Sequence, residues 1–177
     1  ESGQHSLAPM EGASIVIKSP GIPGDIPLLE GLRENGTRIL SEIEFAAQST
    51  SATLIGITGT NGKTTTTMMT YEILKNSGFH VGLAGNIGSS FSKQVAEEDF
   101  DYYVLEISSF QLDDIDQFSP HIAVITNITS DHLDRYGYSF ESYIQAKLKI
   151  TKNQSSNNFF LFNSDDELLV KSLSNYK

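Results

Sequence analysis

Thr53-Leu54-Ile55-Gly56-Ile57-Thr58-Gly59-Thr60-Asn61-Gly62-Lys63-Thr64-Thr65 is the stretch on which the fold turns. An apolar, β-branched run passes into a glycine loop and then into a helical pattern that begins at Lys63. Glycines let a backbone curl so that its N–H groups converge on an anion, and the start of a helix adds positive potential. In such a loop Lys63 bridges the outer phosphates of a nucleotide and Thr64 offers a hydroxyl to Mg²⁺. The strict phosphate-loop spacing asks for glycine six residues before the lysine. That position is Ile57, with Gly56 and Gly59 on either side. An ordinary glycine turn before a helix is the competing reading, and the strand–loop–helix setting favours the phosphate loop.

Outward from this stretch the pattern alternates. Strands are expected at residues 53–57, 80–84, 102–107, 122–126 and 159–162, and helices at 63–76, after Gly85-Asn86-Ile87-Gly88, and over about 139–152. Apolar strands alternating with helices predict an α/β fold, a mostly parallel sheet with helices on both faces and ligands beyond the carboxyl ends of its strands. Upstream, a strand at 13–18 leads into the stiff turn Ser19-Pro20-Gly21-Ile22-Pro23 and a helix at 26–35. A brief strand at 39–40 precedes a helix capped by Ser41, with Glu44 completing a capping box, that runs to about residue 48. The polar stretch 48–51 is the expected linker between an N-terminal part, 1–48, and a second part, 49–177.

Charged residues make up 19% and hydrophobic ones 38%, the balance of a globular chain and not a disordered one. A net charge of −10 argues against a broad nucleic-acid surface. There is no cysteine, hence no disulfide framework and no thiolate chemistry. No apolar run reaches the roughly 20 residues of a membrane span, and no signal peptide is visible. The chain begins at Glu1, so its natural N-terminus is expected to lie upstream.

Polar residues at the other strand ends are the remaining candidates. Glu106 interrupts the apolar run Tyr102-Tyr103-Val104-Leu105-Glu106-Ile107. A buried carboxylate is costly unless paired or metal-bound, so a Mg²⁺ ligand and a carboxylate reaching solvent at the sheet edge are both open. His132, in Asp131-His132-Leu133-Asp134, could bind a metal or orient a substrate, although a loop histidine is more often merely polar. Asn86 sits between glycines and could donate to a phosphate or carbonyl oxygen, or simply make a turn. Lys147 falls within the apolar stripe of Phe140, Ile144 and Thr151 on a wheel of about 100° per residue. Its stem could pack with the ammonium in water, or the group could have a chemical role.

Together these segments resemble the Mur ligases over nearly the whole chain. Residues 58–65 resemble the family's ATP loop, which carries the same departure from the strict spacing. Gly85-Asn86-Ile87-Gly88, Asn127-Ile128-Thr129-Ser130-Asp131-His132-Leu133-Asp134 and Ala146-Lys147 are similar to further family signatures in the family's order. Leu105-Glu106-Ile107-Ser108-Ser109-Phe110-Gln111-Leu112 is similar to the members that add D-glutamate. Residues 19–23 and 41–45 resemble the end of their Rossmann-like, UDP-binding domain. The resemblance implies a bacterial, cytoplasmic enzyme of peptidoglycan synthesis that uses ATP to join D-glutamate to UDP-N-acetylmuramoyl-L-alanine through an acyl phosphate. It implies ATP contacts from Gly59, Thr60, Asn61, Gly62, Lys63, Thr64 and Thr65, and two Mg²⁺ ions held by Thr64, Glu106, His132 and a carbamylated Lys147. It also implies substrate contacts from Ser19, Pro20, Gly21, Asn86, Ser108 and Gln111. Family members have three domains, so the chain is expected to be a fragment, inactive alone, with an open sheet edge. The alternatives are another amide ligase of the superfamily such as folylpolyglutamate synthetase, a non-enzymatic nucleotide-binding module, or a P-loop kinase or GTPase, the last disfavoured because Glu106 stands where a Walker B aspartate belongs.

Overall fold

The computed structural model describes residues 10, 12–131 and 133–174. In chain order the elements are β1 (Ile15–Lys18), α1 (Pro27–Glu34), β2 (Arg38–Ser41), α2 (Glu42–Ala47), β3 (Thr53–Thr58), α3 (Lys63–Asn76), β4 (Val81–Gly85), α4 (Phe91–Glu97), β5 (Tyr102–Glu106) and α5 (Ser109–Asp113). They continue with β6 (Ile122–Ile125), a 3₁₀ turn (Leu133–Tyr136), α6 (Phe140–Leu148), a second 3₁₀ turn (Lys149–Thr151), β7 (Phe159–Phe162) and α7 (Glu167–Ser174). The expected α/β fold is present. Five parallel strands lie in the order β4-β5-β3-β6-β7, and β1 and β2 form a separate parallel pair.

Every strand of the large sheet runs the same way, so the turns after β3, β4, β5 and β6 all open at one edge. Strand alternation divides the apolar side chains between two faces. Ile55, Ile57, Val81 and Val104 pack under α3 through Tyr71 and Leu74. The other face, with Leu54, Tyr103, Leu105, Ala123 and Ile125, is covered by Ile43 of α2, Phe91 of α4, Leu112 of α5, Ile144 of α6 and Leu169 of α7. Coverage thins at the outer strand, where Phe159 is 67% and Leu161 53% exposed.

Three elements differ from expectation for local reasons. The helix over 139–152 ends at Leu148, and the chain tightens into a 3₁₀ turn. Residues 108–111, read as a loop, start α5, because Ser108 and Gln111 make a full capping box. At α2 the box is half made. Ser41 accepts from the Glu44 amide, but the Glu44 carboxyl turns away from the cap.

That carboxyl is wholly buried and accepts the backbone N–H groups of Asp116, Gln117 and Phe118 at 2.8–3.1 Å. With the buried Lys18–Asp114 pair at 2.8 Å and the Glu42 contacts to Ser90 and Ser92, it ties the first strands and helices to the large sheet. Removing it would leave the buried Phe118 amide and the part-buried Asp116 and Gln117 amides without their acceptor, and a buried amide left unmade costs about 1–3 kcal/mol. Urea unfolding of Glu44→Ala should therefore show a loss of about 2 kcal/mol or more, and a loss below about 1 kcal/mol would contradict this role.

Candidate active site

The turn between β3 and α3 is built against the exit of β6. Asn127 accepts the Thr60 and Asn61 amides through its backbone and side-chain oxygens, and donates back to Asn61 O. Thr126 also donates to Asn61 O at 2.7 Å. Thr60 Oγ1 donates to Thr129 O and lies 3.2 Å from Tyr143 Oη. Gly59 has φ 144°, and a Cβ there would stand 2.0 Å from Thr126 Oγ1, so only glycine passes. The first bond of α3 is Thr66 N–H to Gly62 O, which leaves the amides before it outside the helical ladder at its positive end.

Two lysines approach this turn. Lys63 Nζ donates to Thr60 O at 2.8 Å and Lys147 Nζ to Gly59 O at 2.7 Å. Lys147 is buried, with its ammonium 4.6 Å from the Tyr143 ring centroid. Burial, and secondarily the charge of Lys63, push its pKa down to about 7, with Asp131 opposing. Burial likewise raises the Tyr143 hydroxyl, with Thr60 opposing and Asp131 adding.

Glu106 ends β5 beside Ile57 and Gly85 and is buried. Its carboxylate accepts Thr64 Oγ1 at 2.7 Å and Asn86 Nδ2 at 2.9 Å. Gly85, at φ 102°, makes the second contact possible: a Cβ would lie 2.2 Å from Glu106 O, the same oxygen that accepts the Asn86 amide. Both side-chain donors to the carboxylate are neutral groups. Among the described residues no group of three or more His, Cys, Asp or Glu gathers as a ready metal cage. A hydroxyl and one carboxylate at a phosphate loop still match how Mg²⁺ binds, through one or two carboxylates plus phosphates and waters. The outward amides and the two ammonium groups likewise suit a polyphosphate.

A cavity of about 310 Å³ opens over this edge. Pro20, Gly21, Lys63, Asn86, Ser108 and Lys147 line it, with Asp131 and Tyr143. Ser19 is exposed and closes the turn that carries Pro20 and Gly21, its carbonyl accepting Ile22 N–H. Gln111 does not line the cavity, because its amide oxygen accepts from the Ser108 amide and hydroxyl. Thr65 is exposed on the first turn of α3. His132 lies outside the described residues. Sequence reasoning assigned no role to Thr126, Tyr143 or Arg135. A tyrosine one helical turn before a buried lysine was the available sign for Tyr143.

Comparison with known proteins agrees with this geometry. The family model described as the Mur ligase middle domain matches residues 57–177. The UDP-N-acetylmuramoylalanine–D-glutamate ligase of Bacteroides fragilis is 55% identical over 98% of this chain, and that of Citrifermentans bemidjiense 44% identical over all of it. The chain spans 39% of the length of each. A structure of UDP-N-acetylmuramate-alanine ligase from Thermotoga maritima, 26% identical, matches with a TM-score of 0.55 over 96% of this chain and 40% of its own. FolC of E. coli in complex with DHPP and ADP is 17% identical, with a TM-score of 0.54 over 87% of this chain and 50% of its own, a likeness of fold alone. With a family model covering most of its length and a phosphate-binding turn built as described, the chain belongs to the Mur ligase family.

Proposed function

We propose that the chain forms the ATP-binding and acceptor-activating part of a bacterial, cytoplasmic ligase that adds D-glutamate to UDP-N-acetylmuramoyl-L-alanine in peptidoglycan synthesis. The observation that carries this is the meeting of Lys63, Lys147 and the start of α3 at one cavity, with Glu106 bonded to Asn86 of its lining and to Thr64. In this reading residues 59–65 hold the ATP phosphates, and Lys63 stabilises charge on the moving phosphoryl group. An alanyl carboxylate oxygen attacks the γ-phosphorus as the bond to ADP breaks. The D-glutamate amine then attacks the acyl carbon, the bond to phosphate breaks, and the nitrogen loses a proton to solvent. Bound Mg²⁺ would neutralise phosphate charge and fix the reacting oxygens.

In this reading Thr64 would offer its hydroxyl to one ion, and Glu106, His132 and a carbamylated Lys147 would hold a second. The lysine's environment supports the modification. Only a neutral amine captures CO₂, and a pKa near 7 leaves about half of the groups neutral at that pH. A carbamate would give the buried position an anionic oxygen toward metal, where an ammonium would be repelled. Asn86 and Ser108 would touch the muramoyl-alanine portion, Gln111 would fix Ser108, and residues 19–21 would lie near the UDP. In this assignment residues 1–48 end a UDP-binding domain and 49–177 begin the ATP-binding one.

The longer protein carrying this chain should release phosphate in the presence of UDP-N-acetylmuramoyl-L-alanine and D-glutamate, and not with a folate and glutamate. Lys63→Ala should lower kcat at least about 10²-fold. Turnover of the folate pair, or a Lys63→Ala enzyme within two-fold of wild type, would contradict the reading.

Lys147 also predicts a pH dependence. Its folded pKa of about 7 lies below the ordinary 10.5, so between these values the unfolded chain binds more protons and stability rises with pH. In bicarbonate-free buffer, wild type should gain stability relative to Lys147→Met from pH 6 to pH 9, read as the difference between their Tm values. A difference independent of pH would contradict the lysine's placement.

A further inference from the structure

We propose that Arg135 is a positioning residue that pins residues 19–21 across the rim of the cavity and thereby governs affinity for the UDP-linked substrate. The substrate half of this inference rests on the function proposed above.

The segment between β1 and α1 belongs to no sheet and is held by point contacts. At one end, Lys18 Nζ donates to Ile22 O at 2.7 Å while paired with Asp114. At the other, Arg33 donates to Gly24 O. At the rim itself, Arg135 Nη2 donates to Pro20 O at 3.2 Å, bridging 115 residues of sequence.

Arg135 is itself braced. Its guanidinium carbon stands 4.3 Å from the Phe110 ring centroid, in the range of a cation–π contact. Phe110 stacks in turn on Tyr136, whose hydroxyl donates to Asp113 at 3.3 Å. A planar guanidinium can lie on a ring and donate at its edge at once, which the tetrahedral ammonium of a lysine cannot do.

The peptide geometry gives the clamp a chemical consequence. No peptide in the described chain is cis, so the Pro20 carbonyl and the Gly21 N–H point in opposite directions. Holding Pro20 O toward Arg135 therefore turns the Gly21 N–H away from it. Gly21 lines the same cavity as Asn86 and Ser108, and the fixed peptide makes its N–H an oriented donor available to a substrate oxygen. Arg135 sits in the same 3₁₀ turn that follows Asp131, another lining residue, so one short turn sets two walls of the site.

Hydrogen exchange on the 177-residue chain tests the clamp directly. In Arg135→Ala the Ile22 amide, which is bonded to Ser19 O, should exchange about ten-fold faster, with Arg135→Lys in between and the α3 and β5 amides unchanged. Phe110→Leu, which removes the ring and keeps the hydrogen-bond partners, should move the same amide in the same direction. Kinetics of the longer ligase test the consequence. Arg135→Ala should raise KM for UDP-N-acetylmuramoyl-L-alanine about ten-fold and leave KM for ATP within about two-fold. Unchanged exchange at Ile22 would overturn the clamp, and an equal rise in both KM values would overturn its specificity for the UDP-linked substrate. Absence of turnover by the wild-type ligase would instead overturn the proposed function, while exchange still decides the clamp.

Discussion

One strand-to-helix turn organises this molecule: the carbonyls of Gly59 and Thr60 point inward to two ammonium groups, while the amides that follow precede the first bond of α3 and remain at its positive end. A backbone so arranged separates its own dipoles, with acceptors on the lysine side and donors on the ligand side. It cannot hold that shape alone. Asn127 and Thr126 at the end of β6 satisfy the turn's remaining polar groups, and that is why β3 and β6 must be neighbours in the sheet. The shape of the turn is thus a property of the sheet order as much as of the glycines.

Charge follows from the same geometry. The chain carries ten net negative charges, yet two lysines and a helix start converge on one cavity, with Asp131 in the same lining. Glu106 then stands among neutral donors at the end of the adjacent strand. Basic and acidic side chains placed side by side suit a ligand that brings both phosphates and metal ions. Lys147 meets the strictest condition, because burial works against its charge and leaves it near the balance point between ammonium and amine.

Much of this was legible in the sequence because it is local. The run at 53–65 declares a buried strand, a turn and a helix within a dozen or so residues, and the helix expected over 63–76 matches α3. Lys147 stood out because an apolar stripe made its position anomalous. What stayed hidden depends on residues distant in sequence. Glu44 reads as a capping-box acid, and nothing nearby says that amides at 116–118 will claim it instead. Arg135 looks like a solvated surface charge until the fold brings Pro20 and Phe110 to it. In both cases a short-range reading was displaced by a long-range contact, which pattern alone does not encode. Gln111 is the local exception: capping α5 turns its amide oxygen onto Ser108, three residues away.

The joining of phosphates and metal at this edge is the central claim, and amide chemical-shift mapping on the chain with Mg²⁺ and a non-hydrolysable ATP analogue tests it most directly. The account predicts the largest shifts at residues 59–65, with further shifts at Glu106 and Asn86 that appear only when Mg²⁺ accompanies the nucleotide. Shifts centred elsewhere, or a response at Glu106 indifferent to the metal, would contradict it.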